Sequence, residues 1–137
     1  MSQPFINFQE FQEDYKAGSI IVLVNKTKAG DFVMSKFASK YNKPAHIFWT
    51  WLGIIMTFPL PIILLIFKTW VHAIGILIIG LMINNSAKKS AQDFVLQNML
   101  ENEDFWKYVL LHEGAVLKDV DGNDITTEFL EKIQNKN

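Results

Sequence analysis

The sequence predicts a mainly α-helical membrane protein, in which a two-helix transmembrane hairpin is joined to a small α+β cytoplasmic domain built from both termini. The first observation is the distribution of hydrophobic residues, which make up 50% of the 137 residues. Between residues 47 and 83 the only formal charge is that of Lys68. Soluble proteins spread apolar residues over short amphipathic elements, whereas so long a block is typical of segments surrounded by lipid. The second observation is that both flanks are polar, with apolar residues at helix and strand spacings.

The hydrophobic block is predicted to form two spans, about residues 46–67 and 70–87, joined by a tight turn at Lys68. A span needs about 20 apolar residues, and the first segment meets that length. The alternative is a break within the stretch Phe58–Pro61, which would leave a first arm too short to cross a bilayer. The two prolines of this stretch are therefore predicted to bend the first helix, with the hydroxyl of Thr57 as a partner for a freed carbonyl.

Lysine residues flank the hairpin on both sides, whereas the turn between the spans holds only Lys68. Cytoplasmic loops of membrane proteins carry an excess of basic residues, so both termini are predicted to lie in the cytoplasm, with the hairpin in the inner or plasma membrane. The chain then divides into an N-terminal segment, the hairpin and an acidic C-terminal segment (residues 1–45, 46–87 and 88–137). The flanking lysines are also predicted to contact lipid head groups, the alternative being that they serve orientation alone: Lys36, Lys40, Lys43, Lys88 and Lys89.

The first eight residues have neither the basic nor the apolar region of a cleavable signal peptide. We therefore expect the internal hairpin to direct its own insertion into the membrane.

Small and polar residues recur on one face of each predicted span, where they allow helices to approach closely. In an antiparallel hairpin, those of the first span would face Gly80 and Asn84 of the second. The main interpretation is packing within the hairpin, and the alternative is a surface for another membrane subunit or a second copy of the chain. The predicted packing residues are Thr50, Gly53, Thr57, Ala73, Gly80 and Asn84.

The N-terminal flank is predicted to contain a helix, a strand and a second helix. Aromatic residues recur at helical spacing over residues 5–15, and Gly18 follows as a helix terminator. The continuous β-branched and aliphatic run Ile20–Val24 predicts a buried strand. A basic helix over about residues 32–43 is then predicted to lie on the inner leaflet, with Pro44 marking its end.

The C-terminal flank is predicted to begin as a continuation of the second span through Leu100. A new helix is expected to start at Asn102, because asparagine is a favoured N-cap and acidic residues follow it. The apolar face of this helix is the predicted partner surface unless it fills the protein's own core: Phe105, Trp106, Val109 and Leu110.

The end of the chain is predicted to form a small β-hairpin and a short helix. Residues 115–120 alternate weakly as a strand, residues 121–123 form a favoured tight turn, and Ile125-Thr126 would return. A last helix is predicted over Glu128 to Gln134. We expect the strand Ile20–Val24 to lie beside the hairpin, so that both flanks share one domain.

The sequence shows no motif for catalysis, for a cofactor or for a metal. The chain has no cysteine and no arginine, which argues against thiolate catalysis and against a dedicated nucleic-acid reader. The acidic stretch Asp119–Asp124 lacks the glycine and glutamate positions of an EF-hand, so a polar turn is the preferred interpretation. The loop of residues 25–30 lacks the GK[ST] pattern, which leaves at most a weak anion site there. Lys68 and His72 are candidates for a proton or ligand role, the alternative being that both side chains reach water at the outer boundary.

These features predict a small, non-enzymatic interaction protein or accessory subunit that holds a cytoplasmic domain at the bilayer. Its predicted partners are the lipid bilayer and another membrane or cytoplasmic protein; no cofactor and no nucleic acid are expected. The alternative is an oligomeric pore or holin-like protein, although neither span has the polar stripe that a lumen requires. An enzyme that acts on lipid is suggested by location alone.

Overall fold

The computed structural model of the chain describes residues 8–127 and 130–131 and is mainly helical, with one small two-stranded sheet. It divides into two compact units, one formed by the described residues up to Ala38 together with those from Gln92 onward, and one formed by Ser39–Ala91. The elements follow in the order α1 (Phe8–Lys16), β1 (Ile20–Val24), α2 (Ala29–Met34), α3 (Lys43–Thr57), α4 (Pro59–Ile66), α5 (Trp70–Glu101), α6 (Glu103–Leu111) and β2 (Ala115–Asp119).

The unit that contains both flanks is built around an aromatic and aliphatic core. Phe11 of α1 packs against Trp106 of α6, with ring centroids 5.1 Å apart. The predicted first helix is confirmed over its described part, and it ends at Lys16, two residues before Gly18, whose φ of +72° is a conformation that glycine adopts without strain. The largest fully buried side chains of this core are Phe11, Val33, Val95, Met99, Phe105, Val109, Leu110 and Leu117.

The two strands pair antiparallel, with Ile20 opposite Asp119 and Val24 opposite Ala115. This confirms the predicted pairing between the two flanks. The prediction that β1 is buried throughout is wrong, because burial alternates: Ile20 and Val22 face the core, whereas Ile21 and Leu23 are 48% and 47% exposed. A continuous apolar run is typical of strands covered on both faces, but a sheet on the outside of a small unit has only one covered face.

The tight turn after β2 is confirmed, and the return strand is reduced to a single bridge. Gly122 occupies the turn with a φ of +86°, and Lys118 forms an isolated bridge with Asp124. The side chain of Thr126 accepts a hydrogen bond from the Leu117 N–H at 2.8 Å, which closes the segment against β2. The predicted last helix lies largely outside the described residues, although Leu130 and Glu131 within it are helical.

The predicted basic helix over residues 32–43 is wrong. Helix α2 ends at Met34, Ser35 is extended, and the chain then runs through turns. Pro44 does not end a helix but lies in the first turn of α3, where the missing N–H costs no hydrogen bond. The side chain of Asn42 caps this helix by accepting a hydrogen bond from the Ala45 N–H at 3.1 Å.

The unit Ser39–Ala91 consists of two helical arms. The first arm is interrupted once, at Phe58, because Pro59 cannot donate the hydrogen bond that would continue α3 into α4. The predicted turn at Lys68, whose φ is +59°, is confirmed, and the interruption at Phe58 lies at the prolines, where the sequence predicts a bend. Helix α5 is continuous to Glu101, as predicted.

Two helical segments are long and apolar enough to cross a membrane, namely Lys43–Ile66 with 24 residues and Trp70–Glu101 with 32. Only 11% of the most apolar window of each is buried within the protein, so neither resembles the covered core helix of a soluble domain.

Candidate functional site

The two arms of the unit Ser39–Ala91 are joined by a chain of hydrogen bonds. The side-chain amide of Asn84 on α5 donates to the hydroxyl of Thr57 on α3 at 3.1 Å. That hydroxyl in turn donates to the backbone carbonyl of Gly53 at 2.7 Å. Among apolar surroundings such a chain is favourable, because both the amide and the hydroxyl find partners inside the hairpin.

Two glycines allow the arms to approach closely enough for this contact. A Cβ atom at Gly53 would overlap the side chain of Asn84, and a Cβ atom at Gly80 would lie 2.7 Å from the hydroxyl oxygen of Thr57. Both glycines are buried. The contact therefore needs a residue without a side chain at both positions, as is common where membrane helices pack.

The structure brings together four of the six predicted packing residues: Gly53, Thr57, Gly80 and Asn84. Ala73 is buried near the start of α5, and Thr50 is half-buried one turn before Gly53. Antiparallel packing within the hairpin was the main interpretation of the sequence, and it is what the structure shows. The hydroxyl of Thr57 bonds the carbonyl of Gly53, however, and not a carbonyl that the prolines free.

A cleft of about 680 Å³ opens between the two arms, and its lining changes from apolar to polar along its length. Ile79 and Met82 line one end, whereas Asn42 and Ser90 line the other, and Trp49 lies between them because Gly53 packs opposite Asn84. None of the described residues that line it is acidic. No pattern in the sequence indicates this cleft, because its two walls come from segments about 40 residues apart that share no motif.

The polar end of the cleft has one fixed pair of side chains. The hydroxyl of Tyr41 lies 2.9 Å from Nδ1 of His46, and the two rings meet edge to face. When the hydroxyl donates to Nδ1, the other ring nitrogen of His46 carries the proton and is a donor. Both residues line the cleft.

The predicted head-group lysines lie in three places. Lys36 and Lys40 are in the turns between α2 and α3, and the ammonium of Lys36 lies 5.3 Å from the ring centroid of Phe37. Lys43 is the first residue of α3. The last two are exposed on α5, one after the other: Lys88 and Lys89. Their contact with lipid stays a prediction.

The apolar face of α6 fills the protein's own core, which is the alternative that the sequence left open, and it is therefore not a partner surface. All four of its residues are buried in the core of the unit formed by the two flanks, because α6 turns its whole apolar face inward. The apolar side chains that this unit leaves exposed on β1 are instead Ile21 and Leu23. The four buried residues are Phe105, Trp106, Val109 and Leu110.

The acidic turn after β2 uses its carboxylates for local hydrogen bonds. Asp119 accepts from the backbone N–H of Asn123 at 2.8 Å and from its side-chain amide at 3.0 Å. These bonds hold the pKa of Asp119 below its usual value. The hydroxyl and the backbone N–H of Thr126 lower the pKa of Asp124 in the same way. In residues 8–127 and 130–131, no group of three or more His, Cys, Asp or Glu side chains is placed to hold a metal ion.

No known family model matches the chain, and no curated protein or solved structure shows significant similarity to it.

Proposed function

We propose that this chain is a non-enzymatic membrane-anchor protein, in which the hairpin of α3, α4 and α5 inserts in the bilayer and the unit formed by both flanks is its cytoplasmic domain. The observation that carries the proposal is the contrast within the hairpin. Its polar groups Asn84 and Thr57 are satisfied by each other and by Gly53, whereas its large apolar side chains point outward. Large apolar side chains that point outward along both arms are stable in lipid but not in water.

The proposed orientation has both termini in the cytoplasm. Basic residues occur on the two sides of the hairpin that lead to the flanks, and only Lys68 lies in the turn. The excess of basic residues in cytoplasmic loops favours this arrangement. Head groups of the inner leaflet would then lie near Lys43 and Lys88.

The proposed role is that of an interaction protein or accessory subunit in a larger assembly. Its partner is another membrane or cytoplasmic protein, which chemical crosslinking in intact membranes followed by a native gel would reveal. A strictly monomeric chain without any crosslinked protein would contradict this part of the proposal.

Membrane insertion is tested by paired substitutions at exposed isoleucines of similar exposure. Ile55 and Ile78 lie near the middle of the two arms and are 46% and 53% exposed, and Ile21 is 48% exposed on β1. Each lysine at the centre of a span costs about 2.5–3.5 kcal/mol of insertion free energy. We expect the double variant Ile55→Lys/Ile78→Lys to be extracted from membranes by alkaline carbonate, whereas the wild type stays in the membrane pellet.

The matched control is Ile21→Lys/Leu23→Lys, which places two lysines on the exposed face of β1 and should stay in the pellet. A soluble protein would tolerate both pairs alike, because all four side chains are already exposed. Release of the wild type by carbonate, or equal behaviour of the two pairs, would contradict the proposal.

The alternative of an oligomeric pore is tested with the same purified protein. Liposomes that contain the wild type should retain a small fluorescent dye, because Asn84 and Thr57 bond each other inside one hairpin. Leakage that increases with the ratio of protein to lipid would favour the pore.

A further inference from the structure

The cleft between the two arms is apolar at one end and polar at the other, as an amphiphilic molecule is. Along α5 its lining changes from Ile79 and Met82 to Ser90 over about three helical turns. Along α3 the lining changes in the same spatial sense, because the arms are antiparallel, from Trp49 to Asn42. Because Gly53 packs opposite Asn84, Trp49 is level with about residue 88. The apolar end of the cleft is therefore formed by α5, and the hydrogen-bonding end is formed by residues of both arms.

The size of the cleft suits a small ligand. Binding sites for small molecules typically have volumes of about 300–1,000 Å³, and the cleft measures about 680 Å³. The pair of Tyr41 and His46 at its polar end is oriented by a 2.9 Å hydrogen bond, so that the imidazole is positioned before any ligand binds.

Two lysines flank the polar end of the cleft. Lys43 follows Asn42 on α3 and Lys89 precedes Ser90 on α5, so each is about 100° around its helix from a residue that lines the cleft. Lys88 lies on the opposite side of α5, and Asp93 follows Ser90 by three residues. No acidic residue is among the described residues that line the cleft. Basic pockets between membrane helices on the cytoplasmic side bind the head groups of anionic lipids.

We propose that this cleft binds one anionic phospholipid. Its acyl chain lies against Trp49, Ile79 and Met82, and its phosphate lies at the end formed by His46 and Ser90. This inference rests on the proposed function, because it requires the hairpin to lie in a bilayer. A hairpin helix of a second copy fits less well, because the chain has no acidic residue between Asp31 and Asp93 to place beside the flanking lysines.

The inference is tested on the full-length chain, purified in detergent and stripped of lipid. Native mass spectrometry then measures the binding of phosphatidylglycerol and of phosphatidylcholine with identical acyl chains. We expect one saturable phosphatidylglycerol per chain, with a Kd about tenfold lower than that for phosphatidylcholine, because nearby lysines attract the anionic head group.

Two substitutions on α5 separate filling of the cleft from added bulk. Ala87 lines the cleft, whereas a side chain at Gly75 meets open space. We expect Ala87→Trp to weaken phosphatidylglycerol binding about tenfold or more, because the indole occupies the ligand's volume. Gly75→Trp should leave the Kd unchanged, and an equal effect of both variants would overturn the proposal.

A charge variant tests the site without added bulk and covers the case in which Ala87→Trp fails to fold. Lys43→Gln/Lys89→Gln should remove the preference for phosphatidylglycerol while leaving phosphatidylcholine binding as it is. The control Lys16→Gln/Lys26→Gln, with the same loss of charge in the flank, should keep the preference.

The same experiment also tests two other occupants of the cleft, a free phosphate compound and a second copy of the chain. Competition by soluble glycerol phosphate at equal strength, or a lipid-free dimer that Ala87→Trp dissociates, would contradict the lipid site. If carbonate releases the wild type, the proposed function itself fails. If the wild type stays in the membrane pellet but binds both lipids alike, only the lipid site fails.

Discussion

Asn84 shows at the scale of single residues how a polar group is accommodated in an apolar hairpin. Its amide bonds Thr57, and Gly53 and Gly80 supply the space in which that contact forms. The small-residue pattern of the sequence predicted which face would pack, because such residues stand at helical spacing. It could not predict that the hydroxyl of Thr57 bonds Gly53, since that choice depends on the position of the facing helix.

Alanine substitutions at the two glycines of α5 are expected to change the stability of the protein in opposite directions. Gly80→Ala would place a Cβ atom 2.8 Å from backbone atoms of Met56 and Thr57, and overpacking of this kind costs about 1–3 kcal/mol. Gly75→Ala meets open space and should stabilise the helix by up to about 1 kcal/mol. Thermal unfolding in detergent should therefore move in opposite directions for the two variants. Equal shifts would show that the arms do not pack at Gly80.

The hydrogen bonds from Asn123 to Asp119 make the stability of the turn depend on pH. Its side chain and backbone N–H lower the pKa of Asp119, so the ionised carboxylate stabilises the folded turn above the ordinary pKa, and this contribution is lost as the pH falls through the lowered value. We expect Asn123→Ala to raise the pKa of Asp119 toward its ordinary value in an NMR titration of the carboxyl carbons. Asp124, which Thr126 holds, serves as the internal control and should titrate unchanged.

At the scale of secondary-structure elements, the sequence predicted most helices and the pairing of the strands. The helix boundary predicted at Pro44 was wrong, because proline both follows helix ends and begins new helices. The deciding signal was present in Asn42, an N-cap two residues before that proline. The prediction for the faces of β1 was also wrong, because a run of five aliphatic residues hides the alternation that the partner strand and the core impose.

The alternation of β1 is tested by two neighbouring substitutions. Val22→Asp would bury an unpaired carboxylate in the core, at a cost of several kcal/mol. Leu23→Asp changes a side chain that is already half exposed and should cost less than about 1 kcal/mol. We expect limited proteolysis to degrade the flanks of the first variant only. If the flanks of Val22→Asp stayed as resistant as those of Leu23→Asp, the register of the sheet would be wrong.

At the scale of the whole molecule, the chain has two units that differ in what they do with apolar residues. The unit formed by both flanks buries the apolar face of α6, which rules out the partner surface that the sequence suggested. The unit Ser39–Ala91 exposes most of its large apolar side chains and buries small residues such as Gly53, Ala73 and Gly80, with Asn84 and Thr57 half-buried between the arms. Periodicity located the apolar face of α6, but only the fold shows what that face contacts.

Measuring the orientation of the hairpin tests the central claim most directly. Because the sequence has no cysteine, each introduced thiol is the only one in the chain that can be labelled. Phe67→Cys, Lys26→Cys and Asp121→Cys each place a single thiol, in the turn between the arms, in the N-terminal flank and in the C-terminal flank. With a membrane-impermeant maleimide on intact cells, we expect labelling of Phe67→Cys alone, and labelling of all three after permeabilisation. Labelling of either flank in intact cells, or of none of the three before permeabilisation, would contradict a hairpin with both termini in the cytoplasm.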